Sequence, residues 1–465
     1  MKLTIVSVDG HAGPPVETLR PYLEQRYHSA LDDLVEEEKQ FLAATVKIAS
    51  FSPDQLAIID RDGAIASGGH IGAWDLDRRI AEMDREGIAA EVFLQGHQFA
   101  SGPFFGLQNR AYPADVRMAG VRAFNRWQAD MLTAANGRLI GVAEQTPVHD
   151  IDEIVREVHW AGEHGFRALT FSTASDAAIT EPGFHEPYWE PVWKACADHG
   201  LALVLHVGVG VQQGLAFELF MARSKATKEG DEYNRDAPRQ APSAMAPSAM
   251  TPTSGTSPAD DPRMKAFLAL NYSTRRVFWE LMVGGVFDRY PSINFIPTEA
   301  RADWVPATLA RMDARFEAGD TPLKRRPSEY WAQHGYAGAS FIHRAEIEDR
   351  HNIGVRNLTF GRDYPHPEGT WPNTLDWLRA AFAGVPEDEA RLILGGNAIR
   401  CYGLDSTALD AIASEIGPEV SDILGVHHVD PKMVTEFDKR GGFLKDAPEL
   451  ITEELDSIMD AALVG

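Results

Sequence analysis

The sequence predicts an α/β protein, a distorted (β/α)8 TIM barrel with a long insertion after strand five and a helical extension at the carboxyl end. Three observations predict it. Short apolar runs rich in β-formers alternate with helical stretches, which is the signature of βαβ units around a parallel sheet. Eight such runs can be counted, as a closed barrel needs. Residues of metal-binding type stand at the ends of several runs, where a parallel barrel keeps its working face.

Leu3 to Val8 is the first run and ends in Asp9-Gly10-His11; Pro14-Pro15 forbids simple continuation. Residues 17–65 read as an irregular, charged excursion with one helical stretch from Leu31 to Thr45. Regular rhythm begins at Asp75. Leu76 to Glu86 has helical periodicity and Gly87 stops it, followed by strand Ala90 to Leu94. Helix Val116 to Ala135 leads to strand Leu139 to Ala143. Helix Asp150 to His164, ended by Gly165, leads to strand Arg167 to Phe171. Helix Pro187 to His199, ended by Gly200, leads to Leu201 to His206. A long helix, Phe267 to Phe287, precedes strand Ile293 to Pro297. Ala337 to Phe341 is a weaker strand and Leu358 to Phe360 the last.

Residues 222–262 interrupt this order. They are rich in Ala, Pro, Ser, Thr and Met and carry a tandem Ala-Pro-Ser-Ala-Met repeat at 241–250, a composition that cannot bury a core. Leaving the chain just after strand five, the segment reads equally as a lid over the rim or as a plain insertion. Past Gly403 the pattern is helical and acidic, with amphipathic stretches Leu404 to Ile416 and Glu449 to Leu463. The expected organisation is a barrel over residues 1–404, with 222–262 inserted, and an extension over 405–465.

Composition bounds the function. With 44 basic and 68 acidic residues the formal charge is −24, a field that repels nucleic acid and anionic membrane surfaces. No segment has the uninterrupted apolar length of a membrane span. Cys196 and Cys401 form no framework, and the first residues lack the apolar stretch of a signal peptide, so a reducing, cytoplasmic setting is expected.

The polar residues at the strand ends carry the chemistry. Strand one ends in Asp9 and His11, strand five in His206, strand six runs into Glu299, and strand eight into Asp363 and His366. Imidazoles and carboxylates ligate Zn²⁺, Fe²⁺ or Mn²⁺, and a buried group of carboxylates repels itself without a cation. Asp9, His11, His206, Glu299 and Asp363 are therefore candidate ligands, of one ion or of two bridged by carboxylates. No lysine lies between Lys47 and Lys194, which excludes a pair bridged by a modified lysine on strands two to four. His97 and Trp371 are candidate substrate contacts, read against loop placement and rim packing as the plainer alternatives.

These segments resemble the amidohydrolase-2 group of the amidohydrolase superfamily, which includes aminocarboxymuconate-semialdehyde decarboxylase and related hydrolases. The matching pieces are Val8-Asp9-Gly10-His11, Asp84 to Ile88, Phe124-Asn125-Arg126-Trp127, Leu205-His206-Val207-Gly208, Gly285 to Pro291, Phe360 to Pro367 and Gly396-Asn397-Ala398. The resemblance implies a distorted barrel holding a divalent metal on Asp9, His11, His206 and Asp363, with Asp363 also handling a proton of the metal-bound water. Two positions depart from it. Asp9 stands where the family often has histidine or glutamate, and Glu299 where decarboxylase members often carry histidine.

The leading expectation is hydrolysis of an amide, lactone or related bond in a small organic substrate by a metal-activated water. Asp363 or Glu299 takes the proton, and His366 or His97 orients the substrate or protonates the leaving group. Metal-dependent non-oxidative decarboxylation is one alternative, and oxidation at a non-haem iron or diiron centre another. A non-catalytic binding protein with a structural metal is the remaining one, against which the surplus of ligands weighs. A homodimer is the assembly expected from the added helices.

Overall fold

A computed structural model describes residues 2–45, 51, 53–96, 102–106, 112–145, 150–171, 182–206, 276–302, 304–338, 341–366 and 369–438. The 222–262 insertion, His97, the helix expected over Glu449 to Leu463 and the first part (267–275) of that expected from Phe267 lie outside them. The sheet is parallel. Its strands are β1 (Ile5–Ser7), β2 (His11–Ala12), β3 (Ile88–Gln95), β4 (Leu139–Gln145), β5 (Ala168–Phe171), β6 (Ala202–His206) and β7 (Phe295–Thr298). They run in the order β1-β3-β4-β5-β6-β7, with β2 paired to the far end of β3.

Among the described residues this curled half-barrel is completed without further ladders. Isolated parallel bridges join Thr298 to Gly338, Ala337 to Leu358 and Ser7 to Phe360. Of the strands expected at Ala337 to Phe341 and Leu358 to Phe360, the described residues form bridges alone, with 339–340 outside them.

Helices α1 (His28–Thr45) and α2 (Pro53–Ile59) fill the excursion before the regular part. Helices α3 (Leu76–Arg85), α4 (Ala114–Ala134), α5 (Ile151–Glu163) and α6 (Glu190–His199) alternate with the strands β3 to β6. Their ends follow local chemistry. The Asp75 and Asp150 carboxylates accept hydrogen bonds from the first backbone N–H groups of α3 and α5. Gly87, Gly165 and Gly200 adopt positive φ where the chain turns into the next strand. The long helix expected to reach Phe287 is broken: residues 276–283 are helical, and after Gly284 and Gly285, the latter at φ 67°, the helix Val286–Arg289 starts anew.

Strand alternation divides the core. Val6, Val8, Val92, Ile140, Val142, Ala168, Ala202, Val204 and Ile296 fill the barrel interior, while Phe93, Leu169, Leu203, Leu205 and Phe295 face the helices. Tyr402, Leu409 and Ala413 join the interior cluster. The helix Ser406–Ile416 packs beneath β3, and Leu3 N–H donates to Pro418 O at 2.9 Å, so the start of the carboxyl extension closes the amino-terminal end of the barrel. No described helix is long and apolar enough to cross a membrane.

An ionic cluster is sealed between β3, α3 and the segment after residue 360. The Arg362 guanidinium pairs with both oxygens of Glu91 and, at 2.7 Å, with Glu86. Arg79 reaches Glu91 at 2.7 Å and donates to the His11 carbonyl at 2.7 Å. Arg79, Glu91 and Arg362 are wholly buried. Both guanidinium groups lie over the Tyr364 ring. Burial alone would raise the Glu91 carboxyl, but Arg362 and Arg79 hold it below its ordinary value. Removing one partner of such a set strands the others. We expect Glu91→Leu to cost about 3–5 kcal/mol in urea unfolding; a loss within about 1 kcal/mol, the range of a surface pair, would show that these charges are solvated.

Candidate metal centre

Asp9 and His11 leave the carboxyl end of β1 on a path only glycine allows between them. A Cβ on Gly10 would lie 2.8 Å from the Glu91 side chain and from Val92 O, so the backbone rides directly on the ionic cluster. Gly10 forms a bridge with Tyr364, His11 N–H donates to Tyr364 O at 2.6 Å, and Asp363 N–H donates to Asp9 O at 2.9 Å. The Ser7 hydroxyl donates to Asp9 O and accepts from Arg362 N–H, tying the same two segments once more.

The side chains converge. His11 Nε2 lies 3.4 Å from Asp9 Oδ1 and 3.2 Å from Asp363 Oδ1. His366 Nδ1 lies 2.8 Å from Asp363 Oδ1, and its ring stacks on that of His11 at 4.0 Å. The His206 ring meets the His11 ring edge-on at 4.9 Å, and its Nε2 is 3.1 Å from Glu299 Oε2. Asp9, His11 and Asp363 are buried, and His206 keeps 21% of its side-chain surface exposed. Two groups have ligand-type atoms within 4.8 Å of one another: Asp9, His11 and His206, and His11, Asp363 and His366. They overlap at His11, which suits one ion or two adjacent ones.

The donor chemistry fits a divalent cation. Both carboxylate oxygens of Asp9 and of Asp363 are buried and make no hydrogen bond among the described residues, nor does His11 Nε2. Burial, reinforced by the charge of Asp363, pushes the Asp9 carboxyl up to about 7, and burial pushes Asp363 up to about 6. Burial lowers the basicity of His11, yet its contacts with Asp363 and Asp9 outweigh that and raise it well above the ordinary imidazole value. Buried acids that resist ionisation, around an imidazole drawn to positive charge, are what a cation stabilises. Asp363 and Glu299 hold left-handed backbone conformations, φ 51° and 59°, uncommon for residues other than glycine and concentrated at functional sites.

Of the residues singled out from the sequence, Asp9, His11, His206, Glu299, Asp363 and His366 are brought to one rim. Trp371 is buried, donates its indole N–H to Glu82 Oε2 at 2.8 Å and packs on Tyr364, in the wall next to the ionic cluster. His97 lies outside the described residues. Sequence reasoning passed over Glu144. The apolar run ends at Ala143, whereas β4 continues to Gln145. The alternation Ile140, Val142, Glu144 aims this carboxyl into the barrel at its carboxyl end. Burial pushes it up to about 8, against the opposing pull of the Gln95 N–H and the charge of His11.

The family model described as amidohydrolase matches residues 68–404, and the chain belongs to that family. No curated protein matches the sequence. Among solved structures, the chain is similar to 5-carboxyvanillate decarboxylase from Sphingomonas paucimobilis, at 20% identity over 87% of this chain and 100% of that one, with a TM-score of 0.54. It is similar to an amidohydrolase from Mycobacterium avium subsp. paratuberculosis K-10, at 17% identity, 88% and 100% coverage and a TM-score of 0.56. A third is dihydroxybenzoic acid decarboxylase from Polaromonas sp. JS666, solved with bound manganese and 2-nitroresorcinol, at 15% identity, 88% and 99% coverage and a TM-score of 0.53. At these identities the likeness is one of fold. With the family and the cluster together, the protein is a metal-dependent enzyme of the amidohydrolase superfamily.

Mutual repulsion of Asp9 and Asp363 makes the ion a stabilising ligand of the folded state. Chelation should lower the melting temperature of the wild type and Zn²⁺ or Mn²⁺ restore it. Asp363→Asn should bind less ion yet melt higher than the wild type when both are metal-free. Elemental analysis and thermal unfolding with and without chelator read both effects; a wild type indifferent to chelation would overturn the assignment.

Proposed function

We propose that this member of the amidohydrolase family removes CO₂ from a small aromatic carboxylic acid without oxidation. What supports this reading is the likeness, over the full length of two solved decarboxylases, of a chain whose barrel rim gathers Asp9, His11, His206 and Asp363. The same four residues would hold the ion, with Glu299 beside His206 as a further candidate ligand. A bound divalent cation supplies positive charge that fixes an anionic substrate and stabilises negative charge as it develops.

The chain's own groups do the rest. Loss of CO₂ leaves the electron pair of the broken C–C bond on the substrate carbon, which must then receive a proton. Asp363 and His366, with Oδ1 and Nδ1 2.8 Å apart at the rim, are the groups placed to supply it. The stack of His366 on His11 fixes the plane in which that proton is offered. Enclosure of Asp9 and Asp363 keeps water from competing for it.

Hydrolysis is the second reading, and one observation favours it. Glu299 stands 3.1 Å from His206 with its backbone held at φ 59°, a placement suited to taking a proton from an attacking water. The two readings part in one assay. Ion-loaded protein is incubated, with and without O₂, with a panel of hydroxylated benzoates and, separately, with aryl esters, lactones and amides. Decarboxylation predicts CO₂ and the shortened arene in equal amounts, with Asp363→Asn and His366→Asn each lower by about 10²–10⁴ in kcat. Product from the second panel alone would install hydrolysis. Turnover that requires O₂ would set both aside.

A further inference from the structure

The amino-terminal half of the barrel rim carries a polar chain that the proposed chemistry does not use. It starts on α4, where Asn125 is wholly buried. Its amide clamps the backbone of Glu144 from both sides: Nδ2 donates to Glu144 O at 3.1 Å and Oδ1 accepts from Glu144 N–H at 2.9 Å. The same Nδ2 lies 3.0 Å from Glu157 Oε1 on α5, which fixes the orientation of the amide. Clamped in this way, Glu144 points into the barrel, and its Oε1 accepts the backbone N–H of Gln95 at 3.2 Å. The carbonyl of Gln95 lies in turn 3.2 Å from Nδ1 of His11. The far nitrogen of that ring, Nε2, faces Asp9 and Asp363.

We propose that Glu144 is a positioning residue of the metal centre, acting on His11 through the Gln95 residue that separates them. A carboxylate accepting the Gln95 N–H adds negative charge beside the Gln95 carbonyl and makes it a better acceptor. That carbonyl fixes the proton of His11 on Nδ1, so Nε2 presents its lone pair to the cation. Histidine ligands are commonly set by a carboxylate or a carbonyl at the second nitrogen. Here the two act in series, across β4, β3 and β2.

The arrangement also accounts for a buried acid. Glu144 is 1% exposed, and the Gln95 N–H is the hydrogen bond its side chain accepts from the described residues. A carboxylate in that setting is unfavourable unless positive charge lies within range. A cation at His11 supplies it, and the stabilisation is reciprocal: the ion favours the charged form of Glu144, and charged Glu144 favours the ion.

The inference rests on His11 being a ligand, and the experiment separates the two ideas. Zn²⁺ affinity is measured by competition with a chromophoric chelator, and the Co²⁺-loaded protein is followed by its visible absorption. The variants are Glu144→Leu, Glu144→Gln and His11→Asn. Glu144→Leu should weaken Zn²⁺ binding by about 10- to 100-fold and shift the Co²⁺ bands. Glu144→Gln keeps the shape and an acceptor oxygen but loses the charge, so its affinity should fall between those of the wild type and Glu144→Leu, with a smaller shift of the Co²⁺ bands. It also keeps the question answerable if the leucine variant does not fold. If His11→Asn binds Zn²⁺ as the wild type does, His11 is no ligand and the relay falls with it. If His11→Asn loses the ion while both Glu144 variants keep wild-type affinity and spectrum, the ligand stands and the relay is wrong.

Discussion

The pairing of Arg362 with Glu91 sits beneath everything the rim does. One guanidinium, adjacent in sequence to Asp363, is held by a carboxylate from the middle of β3, with Glu86 and Arg79 completing the balance of charge. Because a lone charge in that interior is so costly, the set tolerates very few arrangements. It fixes the height of the 360–366 segment against β3. It also leaves room for the Asp9-Gly10-His11 backbone only where Gly10 lies flat on Glu91. The positions of Asp9, His11 and Asp363 are therefore consequences of an ion pair that touches no substrate.

Above that foundation the charge logic reverses. Below the rim, acids and guanidinium groups neutralise one another. At the rim, Asp9 and Asp363 face each other across one imidazole, with no arginine or lysine paired to either among the described residues. A few ångströms of backbone separate a satisfied network from one whose two buried carboxylates share a single imidazole. That contrast, more than any single contact, marks the upper layer as a place for a cation and the lower layer as structure.

Much of this was legible in the sequence. Gly87, Gly165 and Gly200 announced helix ends because positive φ is cheap only for glycine, and Asp75 and Asp150 announced helix starts. Asp9, His11, His206, Glu299 and Asp363 stood out as polar residues closing apolar runs. The rest was hidden for physical reasons. Arg79, Glu91 and Arg362 look like ordinary surface charges until tertiary packing chooses their partners. Glu144 was hidden by a strand boundary misjudged by two residues. The last two strands were overestimated because an apolar run shows burial, and whether it forms a ladder depends on the twist of its neighbours.

Between Thr298 and Ser7 the described residues hold the ring by isolated bridges instead of continuous pairing. The candidate ligands stand on both margins of that seam, with His206 and Glu299 on one side and Asp9, His11 and Asp363 on the other. A shared ion would act there as a clasp, so closure of the circle and loading of the cation become one thermodynamic event. A nascent chain short of metal would keep its six ladders and the Arg362 anchor, yet leave the two margins of the seam without their tie across the rim.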